Sequence, residues 1–261
     1  MKEPQRIFAI DWSGNKDSSA IKKKIWLAEA DATGLRTLRS GFKSREAVAD
    51  VLIHEAQEGD PNFVVGLDFS FSFPLWFVQE VGCVDAPSFW SHAEENGESW
   101  IGKTPTEPFY TKGSGPERDP FRVTEKLAAK QIPGQSPDNV FHLVGAKQVG
   151  KGSVRGMPIL KTLRDAGFSI WPFDPPKLPC VVEIYPRLFY GKLNKSSSHE
   201  RLDYLEPLPI SNKYHRTDAA CSDDAFDAAV SALKMYERRH EFQTLEQTKD
   251  DVENIEGRIW F

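Results

Sequence analysis

The chain has 261 residues, 39% of them hydrophobic, and a net charge of −5. That apolar share fills a real core in one large domain or two small ones, and the charge excludes wholesale electrostatic attraction to nucleic acid or to anionic membranes. Cys83, Cys180 and Cys221 are too few and too far apart for a disulfide framework or a zinc site, and no basic-then-apolar leader or run of ~18 apolar residues is present, so a reduced, cytoplasmic protein with no membrane partner is expected.

The first element lies in Arg6 to Gly14, RIFAIDWSG. Ile7, Phe8, Ala9 and Ile10 are a strand-length apolar run that ends on Asp11, and Ser13 and Gly14 then favour a turn. Lys24 to Ala30 and Leu35 to Phe42, joined by Asp31, Ala32, Thr33 and Gly34, read as a hairpin. Ser44 is placed to cap a helix, with Ala47, Val48, Val51, Leu52 and Ala56 at helical spacing up to Gly59. The fourth strand, Phe63 to Asp68, repeats the first and carries a second acid to a Ser-rich turn. Either Asp alone is explained by bonding its own backbone at a strand end. Together they suggest a site. A right-handed strand–helix–strand passage would leave the fourth strand parallel to the first, with Asp11 and Asp68 at the edge where α/β sheets gather ligands.

Pro74 opens a short helix that Gly82 ends. From about 85 to 152 the periodicity weakens amid Pro, Gly and aromatics, which predicts an insertion or cap whose Trp and Phe side chains form a small core rather than a base-stacking platform. Eleven Lys and Arg against five Asp and Glu from Lys103 to Arg164 put that stretch at +6 and the remainder at −11. Such a basic segment suits a phosphate-bearing substrate, and equally a solvated surface. A helix over Ser153 to Ala166, strands over Phe168 to Phe173 and Cys180 to Tyr185, and a helix over His199 to Leu205 follow. In the last helix, Ser222 is the cap and Ala225, Phe226, Ala229, Val230, Leu233 and Tyr236 form the apolar face.

That helix supplies more acids. Asp223 and Asp224 in its first turn suit the helix dipole. Asp227, one turn further in among Phe226, Ala228 and Ala229, would be costly to bury without a partner. Carboxylates converging at a sheet edge raise one another's pKa unless a cation neutralises them, and all-oxygen ligation favours Mg²⁺ or Mn²⁺. Two such ions about 4 Å apart activate water and stabilise the leaving oxygen of a phosphodiester.

FAIDWSG, GLDFSFSFP, VEIYP, SDDAFDAAVSA and the terminal EGRIWF, in this order, resemble the family catalogued as domain of unknown function 429, a predicted nuclease group with a ribonuclease H-like fold. The resemblance spans nearly the whole chain. It implies a single α/β domain over 1–261 with a mixed five-stranded sheet of order 3-2-1-4-5 and the large insertion after the fourth strand. It also implies catalytic, metal-holding acids at Asp11, Asp68 and Asp227 or Asp224, with Glu183 of VEIYP as the remaining carboxylate. Ribonuclease H carries its fourth ligand as a Glu on its first helix, where this sequence offers Glu46 and Glu55, and neither has a matching context.

GAKQVGKGS, Gly145 to Ser153, nearly matches the phosphate-loop pattern, but Gly152 stands where the Mg²⁺-reaching hydroxyl should be. It reads better as a basic edge whose Lys151 touches phosphate. Arg122 is placed to hold a phosphate bidentately, or to pair with Glu125. His215 precedes the acidic helix and is a candidate general acid or phosphate contact. The reading is a divalent-metal-dependent nuclease acting on a nucleic acid or nucleotide. The alternative is a non-catalytic or nucleotide-binding protein of the same fold.

Overall fold

The computed structural model describes residues 1–113, 115–131, 137–144 and 149–261. β1 (Arg6–Asp11) leads through α1 (Ser18–Lys24) into the hairpin β2 (Trp26–Asp31) and β3 (Gly34–Arg39), and α2 (Glu46–Glu58) crosses to β4 (Phe63–Leu67). Next come α3 (Leu75–Glu80), α4 (Ala86–Trp100), α5 (Val123–Gln131) and α6 (Val149–Asp165), then β5 (Ser169–Ile170) and β6 (Cys180–Glu183). The chain closes with α7 (Arg187–Tyr190), α8 (Ser198–Leu205), α9 (Lys213–Cys221), α10 (Asp223–Glu237), a 3-10 turn over Arg239–Thr244, and α11 (Glu253–Glu256).

The architecture is α/β, with one mixed sheet of six strands in the order β3-β2-β1-β4-β6-β5. β2 runs antiparallel to both β1 and β3, while β1, β4, β6 and β5 are parallel neighbours. The expected order holds through β4. The fifth place is taken by β6, and a sixth strand, β5, is added outside it, which corrects the five-stranded expectation. β5 is short because the N–H groups of Phe173 and Asp174 both turn back to the Ile170 carbonyl and Pro172 has no N–H to pair.

Alternate residues of the central strands pack to opposite faces. Phe8, Ile10, Val65, Leu67 and Val181 join α2, α4 and α6 on one side. Ile7, Ala9, Val64, Val182 and Ile184 join α9 and α10 on the other. With both faces covered, these strands read as continuous apolar runs.

The described residues within 85–152 hold more regular structure than the composition suggested. Asp85 and Ser88 close a reciprocal capping box at the start of α4, with Pro87 in the first turn. α4 lies so close to α6 that a Cβ at Gly97 would stand 2.4 Å from Val154 Cγ1. The aromatics do form a core: the rings of Phe73, Phe77, Phe89, Trp100, Phe109 and Phe141 pack at centroid spacings of 5.3–6.0 Å. That core is continuous with the sheet's own. Among the described residues no helix is long and apolar enough to cross a membrane.

Candidate metal centre

β1 and β4 stand in register with Ile10 opposite Leu67, and the Asp68 N–H donates to the Ile10 carbonyl at 3.1 Å. Asp11 and Asp68 therefore leave the sheet together at its carboxyl edge. Strand alternation turns Asp11 the way of Ile7 and Ala9, and Asp68 the way of Val64, toward the face that α10 covers. Ser222 Oγ accepts the Ala225 N–H at 3.2 Å and fixes the start of α10. One turn in, Asp227 is 2% exposed. Gly66 allows the approach: a Cβ there would lie 2.6 Å from Met235 Sδ and 3.0 Å from Ile184 Cδ1. Asp224 is half-buried and accepts from Lys24 Nζ at 2.8 Å.

These acids repel one another. Burial, then the charges of Asp227, Asp68 and Asp224, raises the Asp11 pKa well above the usual carboxylate range. Asp68 is pushed up to about 8, first by burial and next by Asp227, against the relief given by Lys195. Burial also raises Asp227 and Asp224, opposed by Lys195 and Lys24 respectively. Asp227 Oδ2 accepts from Lys195 Nζ, while its Oδ1 is buried without a hydrogen-bond partner. A buried carboxylate oxygen left unpaired is expensive, and a cation at the acidic edge would satisfy it. Among the described residues no three Asp, Glu, His or Cys side chains are already drawn together around a cation position. The donor set itself, all carboxylate oxygen, fits Mg²⁺ or Mn²⁺.

Glu183 is placed differently from the expectation. It alternates with Val182 and shares the face of Val181, opposite to α10. Its Oε2 accepts from the Phe71 N–H and from an Arg122 Nη, both at 2.9 Å, and its Oε1 accepts from the other Nη at 2.5 Å. The carboxylate is committed to Arg122 and does not join the other three acids. Arg122 in turn is fully buried, donating also to Glu125 Oε1 and to the Glu256 carbonyl, each at 2.9 Å. It is therefore not available to a substrate phosphate. Burial still raises Glu125 to about 7. The fork ties α5 and α11 to the end of β6.

Lys151 is half-buried in the first turn of α6, against the loop that follows Asp11: a Cβ at Gly14 would lie 2.7 Å from Lys151 Cβ and 2.6 Å from the Gly152 nitrogen. Of the glycine-rich stretch, 145–148 lies outside the described residues, and Lys151, Gly152 and Ser153 are helix rather than loop. Ser153 Oγ donates to the Val149 carbonyl and accepts the Ser70 N–H, both at 3.0 Å, so it serves packing. Arg45 donates to the Ser13 and Asn15 carbonyls at 2.6 and 2.5 Å, and Arg155 donates to that of Gly14, which clamps the loop beyond Asp11. Burial, then Arg155, lowers Arg45 to about 10. His215 is lowered by burial and senses Asp218 rather than the acids of the centre.

Two groups here have no mark in the sequence. Lys195 lies in the polar connection between α7 and α8, 32 residues before Asp227, and Tyr190 ends α7 beside the same carboxylate. Only the need of a buried acidic cluster for a counter-cation pointed to such a lysine.

Comparison of the chain with family models, with curated proteins and with solved structures gives no match.

Proposed function

We propose that this chain is a divalent-metal-dependent phosphodiester hydrolase, a nuclease of ribonuclease H-like fold and of the family catalogued as domain of unknown function 429. Asp11, Asp68 and Asp227 would hold Mg²⁺ or Mn²⁺, and Asp224 is the alternate. The observation that carries this reading is the buried, unpaired Oδ1 of Asp227, beside two strand-end acids whose ionisation burial and their acidic neighbours suppress. The arrangement of an antiparallel β3-β2-β1 ladder followed by parallel β4 agrees with it, as does the order of the five motifs.

A bound divalent ion would supply an activated water and a counter-charge for the leaving oxygen. The chain's own part is to hold that charge in one place. Asp11 and Asp68 are fixed by the strand register and Asp227 by the capped helix. Lys151, in the first turn of α6 against the loop beyond Asp11, would meet a substrate phosphate. Glu183 and Arg122 are assigned to holding the cap on the sheet.

Calorimetric titration with Mn²⁺ and Mg²⁺ of the intact chain and of Asp68→Asn tests the site, followed by incubation with single- and double-stranded DNA and RNA. Binding abolished by the substitution, with cleavage abolished by Asp11→Asn, is the expected result. No divalent binding, with or without an oligonucleotide, refutes the proposal. Thermal stabilisation by ATP and Mg²⁺ without cleavage of any polynucleotide transfers the site to nucleotide binding.

A further inference from the structure

We propose that Lys195 is a built-in cation that occupies the carboxylate centre of the metal-free chain and leaves it when a divalent ion enters. The inference rests on the metal-site reading above and names what competes for that site. Lys195 Nζ sits on Asp227 Oδ2, and its charge eases the ionisation of Asp11, Asp68 and Asp224 as well. That ammonium takes a carboxylate oxygen that a divalent ion at the same sheet edge would need. It leaves Asp227 Oδ1 unpaired, so one positive charge covers the centre incompletely.

The surroundings suit a group that moves without unfolding anything. The Lys195 carbonyl accepts from Arg201, which is itself buried and donates to the Ala220 carbonyl at 2.9 Å, so the backbone of this connection is pinned to the end of α9. The side chain is not enclosed: it is 34% exposed against 3% for Asp227. A rotation about its flexible stem carries the ammonium from the acids to solvent with the backbone in place. Tyr190, at the end of α7, stays beside that carboxylate after the lysine has gone and eases its ionisation. Released at the rim, the ammonium is available to a phosphate oxygen of a bound substrate.

Competition for the same oxygens makes the two cations antagonists, and couplings of this kind are typically worth about 5- to 150-fold in affinity. Lys195→Gln is therefore expected to bind Mn²⁺ about tenfold or more tightly than the unaltered chain, whereas Lys195→Arg, which keeps the charge, gains nothing. Reductive methylation of the unaltered chain supplies a readout independent of any variant's folding. Lys195 should be protected without metal and become reactive in saturating Mn²⁺, with Lys213 as the exposed reference. Equal or weaker Mn²⁺ binding by Lys195→Gln, or a Lys195 still protected in the Mn²⁺-saturated chain, overturns the inference and leaves the metal site standing. Absence of Mn²⁺ binding in all three proteins overturns the site and the inference together.

Discussion

Replacing Asp68 by Asn should make the metal-free protein more stable, increasingly so as pH rises. In the folded chain Asp68 holds its proton up to about pH 8, whereas an unfolded Asp releases it near 3.9. The folded state therefore binds more protons between those values. The stability that the neutral carboxyl contributes is full below pH 4 and is lost as pH rises through 8. Each unit of that window corresponds to about 1.4 kcal/mol, so the ceiling is about 6 kcal/mol. Asp68 is only half-buried, and water screens part of the effect, leaving about 2 kcal/mol as the expected gain of Asp68→Asn at pH 8. For a chain of this size that is about 4–8 °C in Tm. Thermal and urea denaturation of both proteins in EDTA from pH 4 to 9 would show curves that meet near pH 4 and separate above it. Saturating Mg²⁺ should then stabilise the unaltered chain and not the variant. A variant less stable at pH 8 without metal, or a separation independent of pH, would refute the reasoning and make Asp68 a paired structural acid.

Two substitutions away from the acidic edge test the frame that holds it. Arg122→Met strands Glu183 and Glu125 in a buried site, and breaking such a network is expected to cost about 3–5 kcal/mol in urea denaturation; a loss under about 1 kcal/mol would show that the fork is dispensable. Gly66→Ala forces a Cβ against Met235 and Ile184, with an expected loss of about 1–3 kcal/mol and weaker Mn²⁺ binding as α10 lifts from β4. Unchanged stability and affinity there would mean that Met235 simply swings aside and the helix does not move.

The acidic edge is costly to stability. Four carboxylates share one sheet edge with two lysines, and burial suppresses the ionisation of every acid in the group. A packed apolar edge would be more stable. Functional sites commonly retain such strain and offset it elsewhere. Here the offset is visible in the apolar layers on both faces and in the Arg122 network at the other side of the same edge.

Local chemistry was enough to place Asp11 and Asp68 at the ends of two strands and Asp227 one turn into a capped helix. An apolar run ending in an acid, a Ser-x-x-Ala helix cap, and a 3.6-residue period each depend on near neighbours, and each survived folding. The β1–β4 pairing was legible for the same reason, since a β-α-β passage admits one hand. The face taken by Glu183 was not. Strands buried on both sides carry no polar alternation, so Val181, Val182 and Glu183 give no sign of which way the acid turns. α4 was hidden as well, because its apolar positions include Gly97, whose role is to admit Val154 from a helix more than fifty residues away. The partner of Lys195, and those of Arg122 beyond its pair with Glu125, belong to the tertiary structure. Lys195 and Arg122 are each an ordinary basic residue in a polar stretch, and only the docking of α10 on the sheet and of α5 on β6 decides that one meets Asp227 and the other Glu183. Charge partners across long loops are set by packing, which no local pattern encodes.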